Sequence, residues 1–161
     1  MSVVRADPTP YGCVHEETWP VLIHVGPKTF DEVGVRTTIE LFERQFAAKR
    51  RYAVMTVTPS QAGLPDAKAR RALAAWADSE RVQGIVRERC VASAMVVRNA
   101  LERGALTAIN WLWRPVCPYR VTTSAEDALS YCIEQCTSAG LPFPEGEGAL
   151  RKTAQSIFRA L

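Results

Sequence analysis

The sequence lacks a long apolar run, a glycine-rich phosphate loop and an internal repeat. A membrane-spanning helix needs about 18 or more consecutive apolar residues, and the chain contains no such run. The segment Gly26-Pro27-Lys28 comes nearest to a phosphate loop, but it lacks the further glycines that such a loop requires. We therefore expect no membrane span and no nucleotide-binding loop of that type.

Histidine is scarce and charge is almost balanced, with two histidines and a net charge of +3. His15 and His24 are isolated, and we expect His24, inside an apolar strand, to be a hydrogen-bonded core or edge residue. The basic clusters at 49–51 and 68–71 have no interleaved aromatic residues, which is typical of solvated helix faces rather than a nucleic-acid groove. The sequence predicts no catalytic residue, no metal, no cofactor and no nucleic-acid partner.

Cysteine is present in an odd number, five, and residues 1–10 contain no apolar stretch of the secretory kind. Both features lead us to expect free thiols in a reducing, cytoplasmic setting. Cys117 begins a Cys-Pro-Tyr segment like the start of a glutaredoxin site, but Arg120 stands where the second thiol would be. Cys132 and Cys136 have the spacing of a metal clamp on one helix turn, but no second ligand pair accompanies them.

The order of the apolar runs predicts the fold. A hairpin-like pair is followed by three strand–helix repeats, giving the order ββαβαβαβα and a mostly parallel sheet of four to five strands with helices on both faces. The predicted strands are Tyr11–Val14, Trp19–Val25, Tyr52–Thr58, Cys90–Val97 and Tyr119–Thr122. We divide the chain into a flexible arm (1–10), an α/β domain (11–140), a linker (141–148) and an amphipathic C-terminal helix (149–161).

Two helical segments carry more apolar surface than one sheet face would need. The second half of the predicted helix Ala100–Trp113 is apolar almost all round, and the terminal helix has a continuous apolar stripe. Each segment is either covered within the chain or forms an interface with a second copy or another protein. The predicted partner-binding residues are Leu106, Ile109, Trp111, Trp113, Arg114, Leu150, Ile157, Phe158 and Leu161.

The element order and several local segments resemble the STAS domain, the fold of anti-sigma factor antagonists, and most closely its divergent bacterial members. The resemblance covers about residues 11–136 and includes the Ser-x-Glu-x-Ala-Leu start of the helix after the last strand. The segments that carry it are RRYAVMTV (50–57), PDAKARRALAAW (65–76), SAMVV (93–97), LTAINWLWRPVCPYRV (106–121) and SAEDALSY (124–131).

That resemblance implies a non-enzymatic regulatory module in bacterial signalling, which binds another protein or itself as a homodimer. In such domains the loop after the third strand sometimes carries a phosphorylated Ser or Thr. Here the candidates are Ser60 and Thr58, although the chain lacks the Asp that usually ends this strand. In the alternative interpretation these hydroxyls only satisfy loop backbone groups.

A second hypothesis comes from the parallel sheet rather than from the resemblance. Ligands of open α/β sheets bind beyond the carboxyl ends of the strands. Thr58, Arg98 and Asn99 follow two such strands and mark a candidate pocket for a small molecule or a lipid. A thiol-dependent enzyme that uses Cys117 is the third and least favoured hypothesis.

Overall fold

The computed structural model describes residues 11–59, 63, 66–112 and 115–161, and for residues 105 and 108–112 it describes the backbone alone. The described residues form one five-stranded sheet and six helices, so the predicted α/β class with a mostly parallel sheet is confirmed. Within the described ranges, no helix combines the length and the apolar character needed to cross a bilayer.

The five strands lie in the sheet in their order along the chain. β1 pairs antiparallel with β2 at one edge, and every later pairing is parallel. The strands are β1 (Cys13–His15), β2 (Val21–Val25), β3 (Tyr52–Val57), β4 (Cys90–Val96) and β5 (Tyr119–Thr122). Because right-handed crossovers between successive neighbouring strands all pass over the same face, this order gathers the connecting helices on one side of the sheet.

Four helices form that side, and two more cover the opposite face. The helices are α1 (Glu32–Ala47), α2 (Ala67–Ala77), α3 (Glu80–Arg89), α4 (Ala100–Leu112), α5 (Ala125–Ser138) and α6 (Glu147–Arg159). The polar side chains of Asp31, Asp66, Ser79 and Ser124 cap four of the helix N-termini. Asn99 accepts a hydrogen bond from the backbone N–H of Glu102 and starts α4.

The face covered by α5 and α6 contains the larger apolar core. Small strand residues let α5 approach the sheet closely, and Leu129 and Cys132 of α5 are fully buried there. α6 adds Leu150, Ala154 and Ile157 to the same core. Cys132 and Cys136 are both fully buried and pack as core residues. Among the described residues, no three His, Cys, Asp or Glu side chains come together as a metal site.

The other face has a smaller core. Leu22, Val54 and Tyr52 of the sheet pack there with Phe46 of α1 and Val82 of α3. Side chains alternate between the two faces along each strand, so His24 and Thr56 also point to this side. Because α1, α2, α3 and α4 do not fill the space above these strands, a cavity remains between the helices and the sheet.

Candidate functional site

The candidate site is this cavity, which has a volume of about 240 Å³. The sheet forms its floor, with residues from β2, β3, β4 and β5. The helices form its roof, which is mainly aromatic and aliphatic. The principal roof residues are Phe42 and Phe46 of α1, Leu73, Ala74, Trp76 and Ala77 of α2, Val82 and Val86 of α3, and Leu106 of α4.

The roof is held together by ring contacts and one polar cluster. Phe46 stacks on Trp76 with ring centroids 6.0 Å apart, and Phe42 lies 6.2 Å from the same indole. The Trp76 indole N–H donates to Glu43 Oε1 at 2.9 Å. Arg81 forms an ion pair with the same carboxylate and holds the pKa of Glu43 below its usual value. These contacts tie α1, α2 and α3 into one unit above the cavity.

His24 is the central polar residue of the floor. Its side chain is 4% exposed, and its Nδ1 lies 3.3 Å from the hydroxyl of Thr56 on the next strand. Its Nε2 is buried and has no hydrogen-bond partner among the described residues. Burial lowers the pKa of His24 to about 4, so the imidazole is neutral at physiological pH. The sequence-based expectation of a fully hydrogen-bonded histidine is therefore wrong for one of its two ring nitrogens.

Thr38 is a second buried polar group on the cavity wall. It is 3% exposed, and its Oγ1 has no hydrogen-bond partner in the described part of the chain. A threonine within a helix usually donates to the carbonyl of the preceding turn, which Thr38 does not do. Sequence reasoning missed this residue, although it lies three residues after Val35 and four before Phe42 on the apolar face of α1.

Two thiols line the opposite end of the cavity, near the amino ends of β3 and β4. Cys117 packs against the cluster that contains Cys90, and the interaction between the two thiols raises the pKa of Cys90 and lowers the pKa of Cys117. The Cys90 thiol donates to the backbone carbonyl of Ala92 at 3.3 Å. Cys90 is buried, whereas Cys117 is partly exposed. No sequence pattern links Cys90 to Cys117. Cys90 begins β4 and Cys117 precedes β5, so the two come together only through the pairing of these strands.

The predicted pocket residues lie at the carboxyl end of the sheet. Thr58 lines the cavity beside Gly26 and Gly63, and the backbone N–H of Gly63 donates to the carbonyl of Lys28. Glu102 also lines the cavity; it accepts the backbone N–H of Arg98 at 2.7 Å. Arg98 and Asn99 are not among the residues that line the cavity; they organise the start of α4, where Asn99 accepts the backbone N–H of Glu102. Ser60 falls outside the described residues.

The predicted partner-binding residues have different positions in the structure. Leu106 is buried against the cavity, and Leu150 and Ile157 are buried in the core beneath α6. Phe158 and Leu161 are partly buried against the same core. The backbone of α4 includes Ile109 and Trp111, whose side chains lie outside the described part, as do residues Trp113 and Arg114.

The cavity resembles a ligand site in its chemistry. It is concave, mostly apolar and supplied with a few polar groups, which is typical of small-molecule pockets.

No protein-family model matches the chain, and no curated protein or solved structure matches it either.

Proposed function

We propose that this protein is a non-enzymatic binding module that takes a small, mostly apolar molecule into the cavity between the sheet and α1–α4. One observation carries this proposal. Two residues that line an apolar cavity of about 240 Å³, His24 and Thr38, each have a buried side-chain polar atom (Nε2 and Oγ1) without a partner among the described residues. Each such atom costs roughly 1–3 kcal/mol of stability unless something pairs with it.

The size of the cavity supports the same conclusion. A cavity of about 150 Å³ engineered in another protein admits benzene. A cavity of about 240 Å³ therefore has room for roughly ten non-hydrogen atoms.

The proposed binding module catalyses no reaction. His24 is supported by a threonine hydroxyl, whereas a histidine base is usually oriented by a carboxylate. Glu102 is engaged by the backbone and side chain of Arg98 at the mouth. Neither arrangement matches an activated nucleophile or a general acid–base pair, which supports binding rather than a reaction.

A cavity-filling variant tests the binding function. Ala74 is buried on α2 and lines the cavity, whereas Ala75 on the same helix is exposed. We expect a screen of small neutral aromatics by thermal shift to raise the Tm of the wild type, because ligands that bind only the folded state stabilise it. Ala74→Leu abolishes that shift and Ala75→Leu retains it. A screen without any stabilising compound, or an equal shift in folded Ala74→Leu, contradicts the proposal.

A second candidate function is the STAS-like regulatory module, which binds another protein or a second copy of the chain in cytoplasmic bacterial signalling. The element order favours it, because the described elements follow the ββαβαβαβα order on which the resemblance rests, with α3 as a second helix between β3 and β4 and α6 after the last repeat. The two functions are compatible, since Thr58, the phosphorylation candidate among the described residues, also lines the cavity.

Self-association and partner binding test this second candidate. We expect sedimentation velocity over about a hundredfold concentration range to show a dimer, or a purified partner to co-migrate, and Trp113→Glu to abolish that association. Lys152→Glu, on the exposed side of α6, is the control and leaves it unchanged. Association that is equal in both variants would remove the predicted α4 surface from consideration.

A further inference from the structure

This inference rests on the proposed function and concerns the chemistry of the ligand. We propose that the cavity binds an uncharged alcohol or phenol whose hydroxyl pairs with the imidazole of His24, while an apolar body of roughly ten non-hydrogen atoms fills the space beneath the aromatic roof.

Three polar residues that line the cavity or its floor, His24, Thr56 and Thr38, come from neighbouring elements. His24 on β2 and Thr56 on β3 are direct neighbours in the parallel register. The ring of Phe42 meets the His24 ring edge-on at 5.0 Å, and Thr38 lies four residues before Phe42 on the same face of α1. Thr38 therefore borders the part of the cavity beside His24, where one ligand group can contact both residues.

A hydroxyl fits this pair better than a group with only one hydrogen-bonding role. The Nε2 of neutral His24 donates or accepts according to which role Nδ1 takes towards Thr56. The free hydroxyl of Thr38 can do both. An alcohol or phenol O–H is also both donor and acceptor, so it satisfies either tautomer and can bond Thr38 with its remaining capacity.

The charges around the cavity disfavour an acid. No Lys or Arg occurs among the described residues that line it, and the charged residue among them is Glu102 at the start of α4. Burial keeps His24 neutral, because its lowered pKa lies well below physiological pH. A carboxylate or phosphate in the cavity would therefore lose its water without gaining a counter-charge, which is a large penalty. Fatty acids and other anionic lipids are poor candidates for this reason.

The rest of the lining matches an aromatic or branched apolar body. Phe42, Phe46 and Trp76 present rings from the roof, and Met95 lines the floor on β4. Ring–ring contacts with a bound aromatic group would stabilise the complex beyond the effect of the apolar area buried. Methionine adapts to irregular apolar shapes, so the floor can adjust to the ligand.

Three matched probes test the inference with the full chain. The probes are 4-propylphenol, propylbenzene and 4-propylbenzoate, which share one apolar body and differ in the polar group. Affinities are measured by calorimetry at neutral pH, and the ring nitrogens of His24 are followed by ¹⁵N NMR. We expect 4-propylphenol to bind about tenfold more tightly than propylbenzene, to shift the His24 nitrogen resonances, and to exceed 4-propylbenzoate by a larger factor.

Two variants assign the preference to the residues named. His24→Phe removes the imidazole, and Thr38→Val removes the Thr38 hydroxyl with little change in side-chain volume. We expect the preference for the phenol over propylbenzene to vanish in His24→Phe and to fall severalfold in Thr38→Val, with propylbenzene binding unchanged. Thr37→Val, the neighbouring threonine of α1, is the control and keeps the preference. Thr38→Val keeps the test available if His24→Phe does not fold.

The outcomes separate this inference from the proposed function. Equal binding of propylbenzene and 4-propylphenol would overturn hydroxyl recognition while the cavity remained a ligand site. Tighter binding of 4-propylbenzoate would overturn the uncharged ligand. Binding of no probe to the folded protein would overturn both. A phenol preference that persists in His24→Phe would place the hydroxyl elsewhere and overturn the assignment to His24.

Discussion

Thr56 lies directly opposite His24 in the parallel pairing of β2 and β3, and its hydroxyl is 3.3 Å from His24 Nδ1. This contact fixes one ring nitrogen of a buried neutral imidazole and leaves the other buried without a hydrogen-bond partner among the described residues. The same cross-strand pair is therefore a stability element and the polar centre of the proposed ligand site.

Thr56→Val should destabilise the fold by about 1–3 kcal/mol, because it leaves Nδ1 of His24 buried without a partner as well. Urea denaturation measures the change in the free energy of unfolding. Thr123→Val, an exposed threonine beyond β5, is the control and should change it by about 0.5 kcal/mol or less. An equal effect of the two substitutions would mean that the His24–Thr56 contact contributes nothing to stability.

The lowered pKa of His24 predicts a pH dependence of stability. The unfolded histidine titrates near 6.5 and the folded one near 4, so between these values the unfolded state binds more protons. The free energy of unfolding should therefore fall as the pH decreases from 6.5 to 4, by on the order of 3 kcal/mol in total from this residue.

Comparison with His24→Gln isolates that contribution, since carboxylates titrate in both proteins. The difference in unfolding free energy between wild type and variant should shrink as the pH falls through this window. His15 does not interfere, because its pKa is raised to about 9 by its hydrogen bond to Cys13, and it acts between pH 6.5 and 9. A difference that is constant from pH 7 to 4 would show that His24 is not desolvated.

The thiols should react in an order set by their surroundings. The interaction with the neighbouring Cys90 thiol lowers the pKa of Cys117, which is partly exposed, whereas burial raises the pKa of Cys132 and Cys136. Thiolates are the reactive form, so iodoacetamide should modify Cys117 at least about tenfold faster than Cys90, Cys132 or Cys136, as followed by mass spectrometry.

The rate of Cys117 alkylation by iodoacetamide also reports whether a ligand occupies the cavity. Cys117 lines the cavity, so saturating 4-propylphenol should slow its alkylation severalfold. Cys13 lies on β1 near the other edge of the sheet and is the internal control, with an unchanged rate. Equal slowing of both thiols would indicate a general effect of the phenol rather than binding in the cavity.

The terminal helix should contribute to stability through its buried stripe. Leu150→Ala removes a side chain that is buried in the core beneath α6, and we expect a loss of about 2–4 kcal/mol by urea denaturation. Gln155→Ala, on the exposed side of α6, should be nearly neutral. A neutral Leu150→Ala would indicate that α6 is free of the core in solution and available to a partner.

Much of the fold was predictable because local physical chemistry specifies it. The continuous apolar runs of β3 and β4 end in the structure within one residue of their predicted bounds. The polar caps Asp31, Asn99 and Ser124 start helices where the sequence indicates. β1 differs, beginning at Cys13 rather than Tyr11, since an edge strand of three residues has little pattern of its own.

The candidate site was predictable only in part. The parallel sheet located a pocket near Thr58, and Thr58 does line the cavity. His24 was identified as a buried histidine, but its unpartnered nitrogen could not be inferred, because hydrogen-bond satisfaction depends on neighbours from α1 and β3. Thr38 interrupts an apolar helix face, and no local pattern distinguishes it from a threonine whose hydroxyl donates a hydrogen bond to a carbonyl of its own helix.

The sequence by itself determined the elements, their order and the α/β class, because periodicity, capping and strand propensity act over a few residues. Only the tertiary structure decided which residues meet. It paired His24 with Thr56 through strand register and brought Cys117 to Cys90. It also left unfilled space under α1–α4 while filling the face beneath α5 and α6. These outcomes depend on how whole helices pack against the sheet, and such long-range distances are not encoded in any local pattern.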